Sequence, residues 1–266
     1  MKIYKKLFSQ SDKKILKNQT KKSKLTYFFD QNFFKNKVFI KPWGYEFLIF
    51  ANKNISVIIL CLNPFGSTSF HCHPEKNTSI TVLDGNIKVK LTNIFSLLNK
   101  NCSIELGKGI FHQSSNLSNK KAILMEIETP TLKEDLLRYD DPYGRRLSGY
   151  NISDYKVLNN HYLKKLNIKK INKNKFKLNN ELTLEYLKID NIKQFSRIIN
   201  QYHKKKSMVL PIIDSNKYKV KKKLYSFSKI SNKEINLLIN KTCFFLIIGE
   251  KNNENTYNNW FISPGS

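Results

Sequence analysis

The stretch FHCHPEKNTSITVLDG, residues 70–85, places two histidines one residue apart. In an extended chain residues i and i+2 point to the same side, so His71 and His73 share a face and Cys72 looks the other way. Two imidazoles side by side in an apolar interior each leave a donor and an acceptor to satisfy, a cost that disappears if a metal ion takes one nitrogen from each. Two partly exposed histidines on an ordinary strand would show the same spacing, and short motifs often match by accident. A third histidine, His112, follows 39 residues after His73 in ELGKGIFHQSSN, residues 105–116, where a second strand-and-turn segment can return it across a barrel. The chain has five histidines, and the other two, His161 and His203, read as surface residues.

These residues resemble the two motifs of cupins, G-x5-H-x-H-x(3,4)-E-x6-G and G-x5-P-x-G-x2-H-x3-N. Gly66, His71, His73 and Gly85 follow the first, with one residue fewer between Gly66 and His71; Gly109, His112 and Asn116 follow the second at matching spacing. Both halves in order are far more specific than either alone. Two positions depart: Thr78 stands where the family has its ligand glutamate, and Gly107 where it has proline. A threonine hydroxyl is a poor ligand for a divalent cation. The resemblance therefore implies a metal held by three neutral imidazoles, His71, His73 and His112, with open positions for water or substrate; Zn, Fe, Mn and Ni are not distinguished. Glu75 could swing in as a carboxylate, although Pro74 works against a continued strand there.

A second resemblance lies in KPWGYEFLIF, residues 41–50. It is similar to the start of the cupin domains of mannose-6-phosphate isomerases and related capsule or lipopolysaccharide sugar enzymes. A structural reading stands beside it, in which proline and glycine shape a turn and Trp43 fills the core. The resemblance implies isomerisation or epimerisation of a phosphorylated or nucleotide-linked sugar in surface polysaccharide metabolism. Glu75 and Glu126 are the candidate catalytic bases, with Glu128 a further acid on the same segment as Glu126. Two other readings are open. A three-histidine site also resembles the non-haem iron of thiol dioxygenases, and a non-catalytic sugar-binding cupin would carry the same barrel.

In LLRYDDPYGRRLSGY, residues 136–150, sit three of the chain's four arginines. Where lysine is the default cation, an arginine points to use of its planar, bidentate fork. Arg138, Arg145 and Arg146 are thus candidates to hold an anionic sugar substrate, with Tyr143 or Tyr150 stacking on a ring. Arg138 and Arg145 could equally pair with Asp140 and Asp141 and pin the segment to the barrel.

The elements that must position these residues read as all-β. Short apolar runs broken by polar turns follow one another from VFIKPWGYEFLIF through KAILMEIETP, the pattern of a small antiparallel barrel or jelly roll; in cupin terms this is the double-stranded β-helix. The expected division is an N-terminal arm over 1–37, a metal-binding barrel over 38–150, a polar linker over 151–175 and a β-rich domain over 176–266. That last part, without an H-x-H, is read as a degenerate second cupin-like half.

At 266 residues the chain can bury a full core. Its net charge of +27 comes almost wholly from lysine and accompanies abundant asparagine and isoleucine, as AT-rich coding would give. Specific nucleic-acid recognition is not expected, and attraction to anionic partners is. Four cysteines without C-x-x-C spacing make no disulfide framework. No apolar run is long enough to span a bilayer, and MKIYKKLFSQSDKK lacks the apolar core of a signal peptide, so the expected location is the cytoplasm with no membrane partner. Because cupins are often dimers, a homodimer is left open.

Overall fold

The computed structural model describes residues 2–20, 37–51, 55–145, 156–159, 169–172, 175–177, 182–189, 194, 207–213 and 243–250. The chain divides into two compact units, Lys2–Asn160 and His161–Ser266. In the first unit the chain runs through β1 (Lys2–Lys6), α1 (Gln10–Thr20), β2 (Lys37–Lys41), β3 (Gly44–Ala51), β4 (Ser56–Leu62), β5 (Phe70–Cys72) and β6 (Asn77–Asp84). It continues with β7 (Ile87–Leu91), β8 (Phe95–Leu98), β9 (Cys102–Leu106), β10 (His112–Asn116), β11 (Ala122–Thr129), β12 (Leu137–Asp140) and β13 (Lys156–Asn159). Two sheets result, one in the order β1-β9-β6-β11-β4-β3-β2-β13 and one in the order β12-β5-β10-β7-β8. Pairing within them is antiparallel except at the edge, where β1 runs parallel to β9.

Side chains alternate between faces with period two, and one face of each strand fills the space between the sheets. Ile58, Leu60 and Leu62 of β4, Ile80 and Val82 of β6, Ile87, Val89 and Leu91 of β7, Ile104 and Leu106 of β9, and Ala122 and Leu124 of β11 form one buried cluster with Trp43. Toward one end these inward rows change character. On β11 the row Ala122–Leu124 continues as Glu126 and Glu128, both buried; on β4 it ends at Ser56, on β6 at Thr78, and on β3 it holds Glu46 opposite Leu60. Half of the barrel interior is therefore apolar core and half is polar.

The outer face of the second sheet is apolar as well. Phe70, Cys72, Phe111 and Leu137 form a separate cluster there, covered by Ile15 and Leu16 of α1. Helix α1 starts at a capping box: the Ser9 hydroxyl accepts the Asp12 N–H at 3.1 Å, and the Asp12 carboxylate accepts the Ser9 N–H at 3.0 Å. At the turn between β2 and β3, Gly44 has φ +143°, and a Cβ there would stand 2.0 Å from the Cys61 carbonyl oxygen, so only glycine fits.

The span 151–175, expected as a linker, includes β13, which pairs with β2, and β14 (Lys169–Asn172). In the second unit β14, β15 (Lys175–Lys177), β16 (Leu182–Ile189), β17 (Ser207–Ile213) and β18 (Cys243–Glu250) form one antiparallel sheet in the order β14-β15-β16-β18-β17. Pro211 lies on β17, an edge strand, where its missing N–H can face away from the sheet. Residues 21–36 of the expected N-terminal arm, His161 and His203 lie outside the described residues. Among the described residues no helix is long and apolar enough to cross a membrane.

Candidate functional site

Residues directly opposite each other in an antiparallel ladder point to the same face. His112 of β10 pairs with His71 of β5 on one side and Leu91 of β7 on the other, and His71 pairs in turn with Arg138 of β12. One row across the sheet therefore reads Arg138, His71, His112, Leu91, and Leu91 lies in the interior cluster. Cys72, one residue from His71, is turned outward under α1. The ring centroids of His71, His73 and His112 are 4.5, 5.0 and 5.4 Å apart, and one nitrogen of each lies within 4.8 Å of the others. The two motif strands are neighbours in one sheet of a double-stranded β-helix, and their histidines turn inward together. The fold is that of a cupin.

Each Nδ1 of the three histidines faces a backbone carbonyl: His71 that of Ser69 at 2.8 Å, His112 that of Ile110 at 3.0 Å, and His73 that of Asp135. A carbonyl only accepts, so Nδ1 carries the proton and Nε2 presents a lone pair. The Nε2 atoms of His73 and His112 are buried without a hydrogen-bond partner. Burial, against the pull of the Ile110 carbonyl, lowers His112 to about 4, and burial likewise drives His71 and His73 well below the usual histidine range. Three neutral imidazoles whose ligand nitrogens lie this close, two of them without any other partner, fit a divalent metal ion.

Supports reach the histidines from distant parts of the chain. The fully buried Asp135 accepts the Glu75 and Lys76 N–H groups at 2.9 Å each, fixing the backbone just past His73 while its own carbonyl takes the His73 Nδ1 proton. Gly109, at φ +75°, donates its N–H to the His73 carbonyl at 2.8 Å and so ties the second motif to the first. Asp12 of α1 accepts the Phe111 N–H at 3.2 Å and the Thr92 hydroxyl, which anchors the chain just ahead of His112. Asn116, the last residue of the second motif, donates to the Asn63 and Lys120 carbonyls and closes loops rather than facing the site.

A cavity of about 50 Å³ opens beside His71 and His73, room for a few water-sized groups. Glu126 and Glu128 line it, and with His73 they form a second cluster whose ligand atoms lie within 4.8 Å of one another. Glu128 is engaged by Lys76 Nζ at 2.5 Å and by the Ser56 hydroxyl at 3.0 Å. Glu126, 8 % exposed, has no such partner among the described residues; burial first, then the Glu128 charge, raises it to about 7. Thr78 is buried and its hydroxyl makes no hydrogen bond. Lys41, Glu46, Lys133, Arg138 and Arg145 complete the polar wall. Lys76, Lys41, Lys133 and Asp135 carried no signal in a lysine-rich sequence.

The other expected site residues divide. Arg138 and Arg145 both line the cavity, and both pair with Asp141, at 3.9 and 2.6 Å. Tyr143 is 38 % exposed, with Arg145 over its ring at 5.7 Å. The Glu75 side chain is about half exposed and pairs with Lys108 Nζ at 3.4 Å, away from the cavity wall. Arg146 and Tyr150 lie outside the described residues.

No protein-family model and no curated protein matches the chain. Solved structures similar to it include KdgF from Halomonas sp., at 11 % identity over 41 % of this chain and 96 % of that one, with a TM-score of 0.35. An RmlC-like cupin from Shewanella frigidimarina NCIMB 400 is 13 % identical over 41 % of this chain and 94 % of its own, with a TM-score of 0.34. The capsular polysaccharide assembling protein CapF from Staphylococcus aureus is 15 % identical over 42 % of this chain and 33 % of its own, with a TM-score of 0.35.

Proposed function

We propose that the cavity is the active site of a metal-dependent cupin that isomerises or epimerises a phosphorylated or nucleotide-linked sugar in surface polysaccharide metabolism. The observation that carries this reading is a set of three histidine nitrogens within 4.8 Å of one another, beside a cavity that also holds the Glu126 carboxylate. His71, His73 and His112 would hold the metal, which when bound supplies Lewis acidity toward a carbonyl or hydroxyl oxygen. Of the two candidate bases, Glu126 faces the cavity and is the one to accept a proton alpha to the carbonyl, while Glu75 points to the surface. Arg138 and Arg145 make the wall positive toward an anionic substrate, and the small cavity takes only its reacting end. Solvent deuterium tests the step directly: incubating the metal-loaded protein in heavy water with a panel of sugar phosphates and nucleotide sugars should label one substrate at the carbon next to its carbonyl, and Glu126→Gln should abolish labelling.

The all-imidazole donor set, with Thr78 in place of a glutamate, favours a second reading as a non-haem iron dioxygenase acting on a thiol. Iron-dependent oxygen uptake with a thiol, and no labelling of any sugar, would select it over the first.

A further inference from the structure

His73 belongs to two groups of neighbouring ligand atoms. One joins it to His71 and His112; the other joins it to Glu126 and Glu128, again with one atom of each within 4.8 Å of the others. A divalent ion on three neutral imidazoles brings two positive charges into an interior whose wall already carries Lys41, Lys76, Lys133, Arg138 and Arg145. Buried there, it needs a carboxylate beside it.

Two of the three glutamates on that wall are committed elsewhere. Both oxygens of Glu128 are taken, one by Lys76 Nζ at 2.5 Å and one by the Ser56 hydroxyl at 3.0 Å, and Glu46 pairs with Lys41 and Lys133. Glu126 accepts no hydrogen bond from a described residue, although the Lys133 and Lys76 charges act on it through space. Its place in the ladder suits it to stand in for Thr78. Across the β6–β11 pair Thr78 lies opposite Glu128 and Ile80 opposite Glu126, so Glu126 is the diagonal neighbour of Thr78 on the inward face. Diagonal neighbours are about 7–8 Å apart at the backbone, within reach of a long side chain. Where Thr78 presents a buried hydroxyl that bonds nothing, the neighbouring strand presents a carboxylate next to His73.

We infer that Glu126 is a ligand of the resting metal centre, supplied by β11 beside His71, His73 and His112, and that a substrate oxygen displaces it and frees it to accept the proton. The inference rests on the reading of the cavity as a metal-dependent active site and adds the state of that site before substrate arrives. It gives one side chain two successive roles, and it moves the carboxylate of the centre from β6 to the adjacent strand.

The test loads the full-length protein with cobalt(II), whose visible absorption reports the number and type of its ligands, and measures affinity by competition with a chelator. Glu126→Gln keeps the shape of the side chain and should fold, shift the cobalt spectrum and bind metal more weakly, by at least the roughly ten- to hundredfold that losing an outer partner of a ligand costs. Adding Thr78→Glu to that variant returns a carboxylate to the centre from β6. Most of the metal affinity should come back, while labelling in heavy water should not, because the base is still missing. Should Glu126→Gln fail to fold, Glu126→Leu is read by the same criteria. An unchanged spectrum and affinity in Glu126→Gln overturns the inference, and so does a loss of affinity that Thr78→Glu leaves unrepaired, since that would make Glu126 a structural residue. Either result leaves the three-histidine metal reading in place; a wild type that takes up no cobalt ends that reading and the inference with it.

Discussion

His71 and His112 face each other directly across the β5–β10 pair, with ring centroids 4.5 Å apart, and His73 reaches the same point from just past the end of β5. If these three are the ligands, His73→Ala should lose most of the bound metal by elemental analysis. Thr78→Ala, which removes a hydroxyl that bonds nothing, should lose almost none. Equal losses would make Thr78 a ligand.

Asp135 holds the backbone beside His73 through two N–H groups and positions the imidazole through its carbonyl. Asp135→Ala leaves both N–H groups without their acceptor, a cost on the order of 3 kcal/mol. The backbone carbonyl that accepts the His73 Nδ1 proton survives the substitution, so metal affinity should fall only through the loosened backbone beside His73, by less than the roughly ten- to hundredfold that losing a ligand histidine's outer partner costs. Denaturant unfolding and competition with a chelator measure the two effects separately.

Arg145 contacts Asp141 through Nε at 2.6 Å and a terminal nitrogen at 3.4 Å, a two-point grip that lysine cannot reproduce. Arg145→Lys keeps the positive wall. It should lower Tm by about 2–4 °C, the shift for roughly 1 kcal/mol in a chain of this size, and leave metal content as in wild type. A large loss of binding to anionic sugars at unchanged Tm would make this arginine an anion grip instead of a structural pin.

Burial alone would raise Glu46, but Lys133 and then Lys41 overcome it and hold the carboxyl at about 2. A carboxyl depressed in the folded state stabilises the protein above its ordinary value near 4.5, and the contribution drains away as pH falls from there toward 2. Lys41, lowered only to about 7, is charged in both states throughout that window and does not alter the slope. Tm of wild type should therefore drop more steeply between pH 4.5 and pH 2 than Tm of Glu46→Gln; parallel curves would refute the assignment.

The histidines were legible in the sequence because a two-residue period fixes which side chains share a face, and the barrel was legible because the same alternation recurs from Val38 to Glu128. The lysines were not. In a chain with 47 basic residues a buried Lys41, Lys76 or Lys133 looks like every surface lysine, and only the tertiary fold shows which of them face inward. Asp135 was hidden for a different reason, since its partners Glu75 and Lys76 lie about sixty residues away and no local pattern links them. Helix α1 was masked by a stretch with few apolar residues, although the Ser9–Asp12 capping box that starts it was there to be read.

On β11, Leu124 serves the apolar core, and Glu126, two residues on, faces the cavity. Both occupy one inward row, so sliding this strand by a single residue would turn Met125 and Ile127 inward and expel both carboxylates with Leu124. Structural integrity and chemistry are thus written in the same register. A partly mispaired barrel cannot keep one and lose the other, and in a heterogeneous preparation the active fraction should equal the natively paired fraction.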